Sequence, residues 1–289
     1  MAFTLRLLTV FFLASSALSA PANPAGETTK IRAFADQLFD QEEYFRASTE
    51  YMRIISSQPG RTDEEQIKFR IAQCSYRAGR FDEAAQSYMR LAVSTTSTDM
   101  VDRCRLVIAA CRYRQNDYSA STADCVRAIY ASPKSPLLDR FTYLKGLSLV
   151  HSRDWRGAFT TFASVPRESA LSPSSREIGG LCARIPKEKR FSPLATGTMS
   201  LIVPGLGQTV CGYGWDGFTA LLLSAGSLAV GLAGTERGDK SMATAGYALF
   251  ALWHPANVIG GSNAARRANR RADDKAIAKA DAMSMLSLE

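Results

Sequence analysis

The sequence of 289 residues is poor in the residues and motifs that enzymes use for catalysis. It contains two histidines, His151 and His254, and neither lies near Cys, Asp or Glu in a spacing typical of metal ligands. The motifs C-x-x-C, G-x-S-x-G and H-E-x-x-H are absent, and no paired-carboxylate motif is recognisable. These absences argue against the common zinc, redox and hydrolytic centres. We therefore expect a non-enzymatic protein with no cofactor and no metal.

A glycine-rich stretch, LIVPGLGQTVCGYG, superficially resembles a phosphate-binding loop. A dinucleotide fingerprint requires G-x-G-x-x-G, but Val210 stands where the third glycine belongs. A P-loop requires Gly-Lys-Ser/Thr after four spacer residues, and no lysine follows here. The stretch is therefore not expected to bind a nucleotide.

The N-terminus has the pattern of a secretory signal peptide. An arginine precedes the apolar run Leu7–Ala14, and the small residues that follow include the A-x-A site Ala20-Pro21-Ala22. An uncleaved anchor is the alternative, although the run is short for a span. We expect residues 1–22 to be removed and the mature chain to lie in the cell envelope, outside the cytoplasm. Its six cysteines would then face an oxidising compartment, and whether any form disulfides stays open.

The net charge of +8 is concentrated around the glycine-rich region. One basic cluster lies at Arg184–Arg190 and another begins at Arg266–Arg271, and apolar segments lie between them. Basic residues that flank apolar segments favour anionic lipid headgroups as partners. We expect no nucleic acid partner.

An internal repeat of 37 residues extends over about half of the chain. Each unit contains one aromatic residue at the repeat spacing. The residue types 3, 7 and 10 positions after this aromatic also recur, as does a small residue 9 positions before it. The aromatic and the residues 3, 7 and 10 positions after it lie on one stripe of an α-helix. The small residue 9 positions before it allows the preceding helix to approach closely. Turns are predicted at Gly79-Arg80 and Asn116-Asp117, and a capping box at 62–65. The repeating aromatics are Tyr44, Phe81, Tyr118 and Trp155.

The segment YRAGRFDEAAQSYMRL resembles the core of the tetratricopeptide repeat (TPR), although that family repeats every 34 residues. The resemblance implies an all-α superhelix of about four helical hairpins over residues 28–187, with a capping helix at 173–185. It also implies a scaffold whose concave groove binds a protein or peptide. An alternative is that the tyrosines only fill gaps between helices while the arginines are solvated. The groove positions are Tyr76, Arg77, Arg103, Tyr113, Arg114 and Arg140, with Val150 and His151 at the equivalent positions of the fourth unit.

Two uncharged apolar segments, 218–234 and 241–261, follow the repeats and are separated by TERGDK. Their length and their content of Gly, Ala and Ser predict a membrane-associated helical hairpin module over 191–263 and a basic tail over 264–289. A buried hairpin in a soluble protein is the alternative. Both basic clusters lie on one side of a two-helix hairpin. The positive-inside bias would place that side in the cytoplasm, whereas a cleaved signal peptide would place it outside. Either residues 194–203 add a partial crossing, or the hairpin inserts from the outer side.

This region resembles bacterial envelope proteins with a P-G-x-G-Q motif, a hairpin and a closing N-x-x-G-x-x-N-A stretch; TM2-type domains share the G-x-G-Q part. The resemblance implies membrane association. Gly205 and Gly207 are expected to allow a tight bend, while Gln208 and Asn257 satisfy exposed backbone groups. The matching residues are Pro204, Gly205, Gly207, Gln208, Gly212, Asp216, Gly217, Asn257, Gly260 and Asn263.

These patterns favour a non-catalytic, membrane-tethered scaffold or adaptor of the bacterial envelope, facing the periplasm. The alternative is a component of an oligomeric membrane or transport assembly in which the hairpin is the working part. A membrane-embedded hydrolase, the third hypothesis, would depend on His254.

Overall fold

The computed structural model describes residues 24–185 and 190–284, and within these ranges the protein contains α-helices and no strand. The expected all-α class is confirmed. The expected signal peptide lies outside the described residues. The helices are α1 (Pro24–Asp40), α2 (Tyr44–Ser57), α3 (Glu64–Arg77), α4 (Phe81–Ser94), α5 (Thr98–Arg114), α6 (Tyr118–Ala131), α7 (Leu138–His151), α8 (Trp155–Ala163), α9 (Ser172–Arg184), α10 (Pro193–Ile202), α11 (Leu206–Val210), α12 (Gly214–Glu236) and α13 (Lys240–Met283).

The chain divides into two compact units after Leu91, in the last turns of α4. The first unit contains α1, α2, α3 and most of α4. The second contains all later helices, including the full length of α13.

The first eight helices form four helix pairs, and the second helix of each pair begins at a repeating aromatic. Each pair is joined by the same turn, in which one residue has a positive φ. In the second pair, the Gly79 N–H donates to the Tyr76 carbonyl and the Arg80 N–H to the Ser75 carbonyl, which is the Schellman pattern of helix ends. The positive φ values are 62° at Glu42, 76° at Gly79, 62° at Asn116 and 60° at Arg153, again 37 residues apart.

Four of the five repeated columns of the sequence are buried, and the column of repeating aromatics is half-buried except at Trp155. A short side chain is necessary at the column of small residues on the first helix, because a Cβ on Gly146 would lie 2.7 Å from the Phe162 ring. The buried columns are Ala35, Ala72, Ala109 and Gly146; Ala47, Ala84, Ser121 and Ala158; Tyr51, Tyr88, Cys125 and Phe162; Ile54, Leu91, Ala128 and Val165.

The helix α3 starts one residue later than the predicted capping box at 62–65 places it. The helix α3 begins at Glu64, and the side chain of its N-cap residue, Asp63, makes no capping hydrogen bond. The Asp63 carboxylate instead accepts hydrogen bonds from Arg61 Nε at 2.7 Å and Arg32 Nη1 at 2.8 Å. The hydrogen bond from Arg61 lowers the pKa of Asp63. Two nearby guanidinium groups therefore outcompete the backbone for this carboxylate.

The two long C-terminal helices form a tightly packed hairpin. A Cβ on Gly246 would lie 2.2 Å from the backbone nitrogen of Gly231, and one on Gly234 would lie 2.4 Å from that of Ala243. The backbones of α12 and α13 therefore touch, as the small residues predict. The helix α13 continues for 44 residues, so the expected boundary between hairpin and basic tail at 263/264 falls inside one helix.

By length and composition, α12 is the one helix of the described residues that could cross a membrane. It has 23 residues, a mean hydropathy of 1.6 over its most apolar window, and most of that window is exposed. At 1.5 Å per residue it is about 34 Å long, against about 30 Å for the hydrocarbon core of a bilayer. The second apolar segment, 241–261, forms the first half of α13, which does not meet the same criterion.

Candidate functional site

The structure places the two predicted groove tyrosines at the turns of their helix pairs. Tyr76 packs edge-to-face on Phe81, and Tyr113 packs in the same way on Tyr118, each with ring centroids 5.5 Å apart. Both tyrosines therefore contribute to packing within a helix pair, which is the alternative that the sequence left open. Among the predicted groove arginines, Arg77, Arg103 and Arg114 are exposed and Arg140 is half-buried.

Tyr113 also packs against a core cluster that the C-terminal end of α13 joins. Ala276 and Ala280 of α13 are buried in this cluster beside Leu147 and Val150 of α7. Residues of α8 and α9 complete the cluster. Burial raises the pKa of Tyr113, and the nearby carboxylate of Asp281 raises it further. Tyr113, one of the positions in the second unit that were predicted to bind a partner, thus packs in a cluster that this chain's own last helix joins.

Polar contacts hold the same end of α13. His151 Nε2 lies 2.9 Å from Asp281 Oδ1, and Arg153 Nη2 donates to Asp274 Oδ1 at 2.8 Å. The Ser174 hydroxyl of α9 donates to the carbonyl of Met283 at 2.7 Å. The end of α13 therefore has both an apolar seam and flanking charge pairs.

A second site is a buried group of side chains and backbone atoms where α10, α11 and α13 meet, which we call the polar knot (Ser200, Gly205, Gly207, Gln208 and Asn257). Asn257 Oδ1 accepts from the Gly205 N–H at 2.9 Å and from Gln208 Nε2 at 3.0 Å. Asn257 Nδ2 donates to the Ser200 carbonyl at 2.7 Å. The Ser200 hydroxyl donates to Gln208 Oε1 at 2.7 Å and accepts from the Gly207 N–H at 3.0 Å.

The sequence explains why Asn257 is needed. The carbonyl of Ser200 would ordinarily accept from the N–H four residues later, but that residue is Pro204, which has no N–H. The amide of Asn257 supplies the missing donor. Gln208 and Asn257 thus satisfy backbone groups at the bend, as expected, and their side chains are almost fully buried.

Glycines allow the backbones to meet around the polar knot. Gly205 has φ 85°, and a Cβ there would lie 1.9 Å from the Gly217 carbonyl oxygen. A Cβ on Gly207 would lie 2.0 Å from the Thr196 carbonyl oxygen. A Cβ on Gly260 would lie 2.8 Å from Gln208 Nε2. These motif glycines are therefore explained by contact distance.

Three other motif residues lie outside the polar knot. Asp216 pairs with Arg267 at 2.9 Å near the start of α12. Asn263 is exposed, with Arg266 Nη1 3.4 Å from its side-chain oxygen. Gly212 has φ 84°, and a Cβ there would meet nothing within 4 Å, so the glycine is explained by the turn before α12 and not by close packing.

Several basic residues expected at lipid headgroups make contacts within the chain. Arg190 donates to Asp273 at 2.7 Å and to the Asn269 carbonyl at 3.1 Å. The guanidinium groups of Arg267 and Arg271 lie 4.5 and 4.7 Å from the centre of the Tyr213 ring. The remaining described arginines of the two clusters, Arg184, Arg266 and Arg270, are exposed.

The C-terminal helices carry most of the exposed large apolar side chains of the described chain. They occur on α10, on the short helix α11, on α12 and on the first half of α13, and the first three of these helices each pack against α13. Several are more than half exposed, a degree of exposure that is unusual for a soluble protein when so many occur together. The most exposed are Leu194, Ile202, Trp215, Leu222, Leu252 and Ile259.

His254 lies within this apolar region and stacks on Phe250 with ring centroids 4.7 Å apart. Its Nδ1 is buried without a hydrogen-bond partner in the structure. No group of three or more His, Cys, Asp or Glu that could hold a metal occurs in the described parts of the chain. All six cysteines are buried, and none of them forms a disulfide in the described parts of the chain.

Two features were missed from the sequence. Ser200 was not singled out, although it is a hydroxyl within an apolar run, eight residues before Gln208. The alanine series of α13 was also missed: it recurs every four residues and could have indicated a helix seam. Its members are Ala264, Ala268, Ala272, Ala276 and Ala280.

No protein-family model matches this chain, and a search of curated proteins finds no significant match.

Proposed function

We propose that this protein is an exported, membrane-tethered scaffold of TPR-like helix pairs, with no catalytic role of its own. The observation that carries the proposal is the exposed apolar surface of α10, α12 and the first half of α13. Exposure of this surface to water is unfavourable by about 25 cal/mol per Å², so a bilayer is the environment that suits it. The helix pairs would then present their binding surface beside that bilayer.

The polar knot supports a bilayer environment for α10 and α11. A backbone bend inside a membrane is tolerated only where its polar groups are satisfied within the protein. At the bend between these helices, the side chain of Asn257 accepts a hydrogen bond from the Gly205 N–H. The Ser200 hydroxyl accepts one from the Gly207 N–H. Water is thus not needed to satisfy these groups.

The length of α10 supports the partial crossing considered for residues 194–203. Its ten residues extend for about 15 Å, half the hydrocarbon thickness of a bilayer. Pro193 at its start accepts from Ser262, and Ser200 near its end meets Asn257, so α10 runs antiparallel to α13. We propose that α10 enters the bilayer from the side of the basic clusters and that α11 returns to that side.

Membrane attachment is tested by flotation of the full chain with vesicles that contain anionic lipid. The double variant Leu222→Asp/Leu252→Asp places two carboxylates on the exposed apolar surface. Each should cost about 2.5–3.5 kcal/mol near the bilayer centre, and flotation should fall sharply. Tyr130→Asp, on a still more exposed residue of α6, is the matched control and should float like the wild type. A wild-type chain that stays monodisperse without detergent and ignores vesicles would refute the proposal.

The scaffold role is tested separately with the predicted groove arginines. Chemical crosslinking in cells should recover a partner with the wild-type full chain. Recovery should fall for Arg77→Glu/Arg114→Glu and be unchanged for Arg46→Glu, another exposed arginine. Equal recovery of the same partners by all three chains would contradict a groove at these positions.

A further inference from the structure

The end of α13 lies where the repeat pattern places a partner-binding surface, on the side chains of Tyr113, Val150 and His151. We propose that residues 273–283 are a built-in ligand of the helix pairs, and that a helical segment of a partner binds the same site in their place. This inference goes beyond the proposed function, which requires only that a partner binds and that the hairpin enters lipid.

The chemistry of the contact describes the partner. Small side chains, Ala276 and Ala280, are the fully or nearly fully buried residues of this segment, and they lie four residues apart on one face. Carboxylates flank that face and pair with basic groups of the site: Asp274 with Arg153, and Asp281 with His151. The site therefore fits an acidic helix with a narrow seam of small residues.

We expect the contact to be weak enough to exchange. Ala276 and Ala280 contribute little buried apolar area, Ile277 and Met283 pack only partly buried against the same cluster, and each exposed ion pair contributes about 0–1 kcal/mol. The Arg153–Asp274 pair is of this kind, since its side chains are 47% and 62% exposed. Because α13 is anchored at its other end by the hairpin, the segment is held at a high effective concentration and rebinds readily.

The test uses the full chain in detergent micelles and a fluorescent peptide with the sequence of residues 270–284. In the wild type the site is occupied by residues 273–283. In the Ala280→Arg variant, a long charged side chain should expel this segment. The peptide should therefore bind to the wild type at least tenfold more weakly than to Ala280→Arg. Ala278→Arg is the matched control: the same substitution two residues away on an exposed position should leave the wild-type affinity unchanged. Binding is followed by fluorescence anisotropy.

A second variant avoids the buried position. Asp274→Arg/Asp281→Arg alters only flanking charges, should keep the fold, and should also bind the peptide more tightly than the wild type does. A peptide with its own Ala280→Arg substitution should not bind this variant. If a folded variant shows no gain of binding, the proposal fails.

Hydrogen exchange on the wild-type chain gives a test that needs no substitution. Amides of residues 276–283 should exchange at least tenfold faster than those in the middle of α7, because the segment opens while the helix pairs stay folded. Equal protection of the two segments would overturn the proposal, since the end of α13 would then be a permanent part of the core. Flotation with vesicles is unaffected by either outcome, so it tests the proposed function independently.

Discussion

Replacing Asn257 by leucine should destabilise the second unit far more than its size change suggests. Leucine has the same number and branching of side-chain heavy atoms, but it can neither accept from the Gly205 N–H nor donate to the Ser200 carbonyl. Both groups are buried, and Pro204 prevents the usual helical partner from replacing the lost donor. Gln208 keeps its bond from the Ser200 hydroxyl, so two backbone groups lose their partner.

The expected loss of stability follows from the number of buried polar groups that lose their hydrogen-bond partner. Each buried polar group without a partner costs about 1–3 kcal/mol, which gives about 4 kcal/mol for Asn257→Leu. For a unit of this size, 1 kcal/mol corresponds to a shift of about 2–4 °C in Tm, so Tm should fall by about 8–16 °C. In a bilayer the penalty should be larger, because no water can reach the bend.

The matched control is Asn263→Leu, the same substitution on the same helix at an exposed residue. Its effect should stay within about 0.5 kcal/mol. The assay is thermal unfolding of both full-length variants and the wild type in the same detergent, followed by circular dichroism. Equal Tm values for the two variants would refute the reasoning, since they would show that the polar knot does not hold α10 and α11 on α13.

Three further outcomes are expected from thermal unfolding of the full chain. Gly246→Leu should lower Tm by separating α12 from α13, whereas Gly226→Leu, with nothing within 4 Å of its Cβ position, should not; equal shifts would contradict the packing. Glu42→Asn should raise stability by about 0.5–1 kcal/mol, because asparagine tolerates the positive φ at this turn better; a loss of stability would argue against strain there. Asp63→Asn should cost about 1 kcal/mol at pH 7. Because Arg61 lowers the folded-state pKa of Asp63, this difference should shrink as the pH falls below about 4; a constant difference would contradict the charge pair.

The helix pairs could be predicted closely from the sequence. Their buried columns follow from side chains that recur on one helix stripe, and the turn at Gly79 follows from a residue that tolerates positive φ. The equivalent turns at Glu42 and Arg153 were not signalled by residue type, because there the packing of two helices imposes a conformation that these side chains disfavour. The contacts of Asp63, the N-cap residue of α3, have a similar origin, since Arg32, which is distant in sequence, binds its carboxylate.

The sequence by itself determined the periodic elements of this protein and the apolar character of its C-terminal hairpin, because helix periodicity and hydropathy are local properties of the chain. Only the tertiary structure decided that Asn257 meets Gly205, 52 residues away, and that Ala280 lies in the core beside Val150. Such contacts depend on how complete helices pack, and a single 44-residue helix connects the two sites. That packing places residues 273–283, the less basic end of the predicted basic tail, against the chain's own helix pairs.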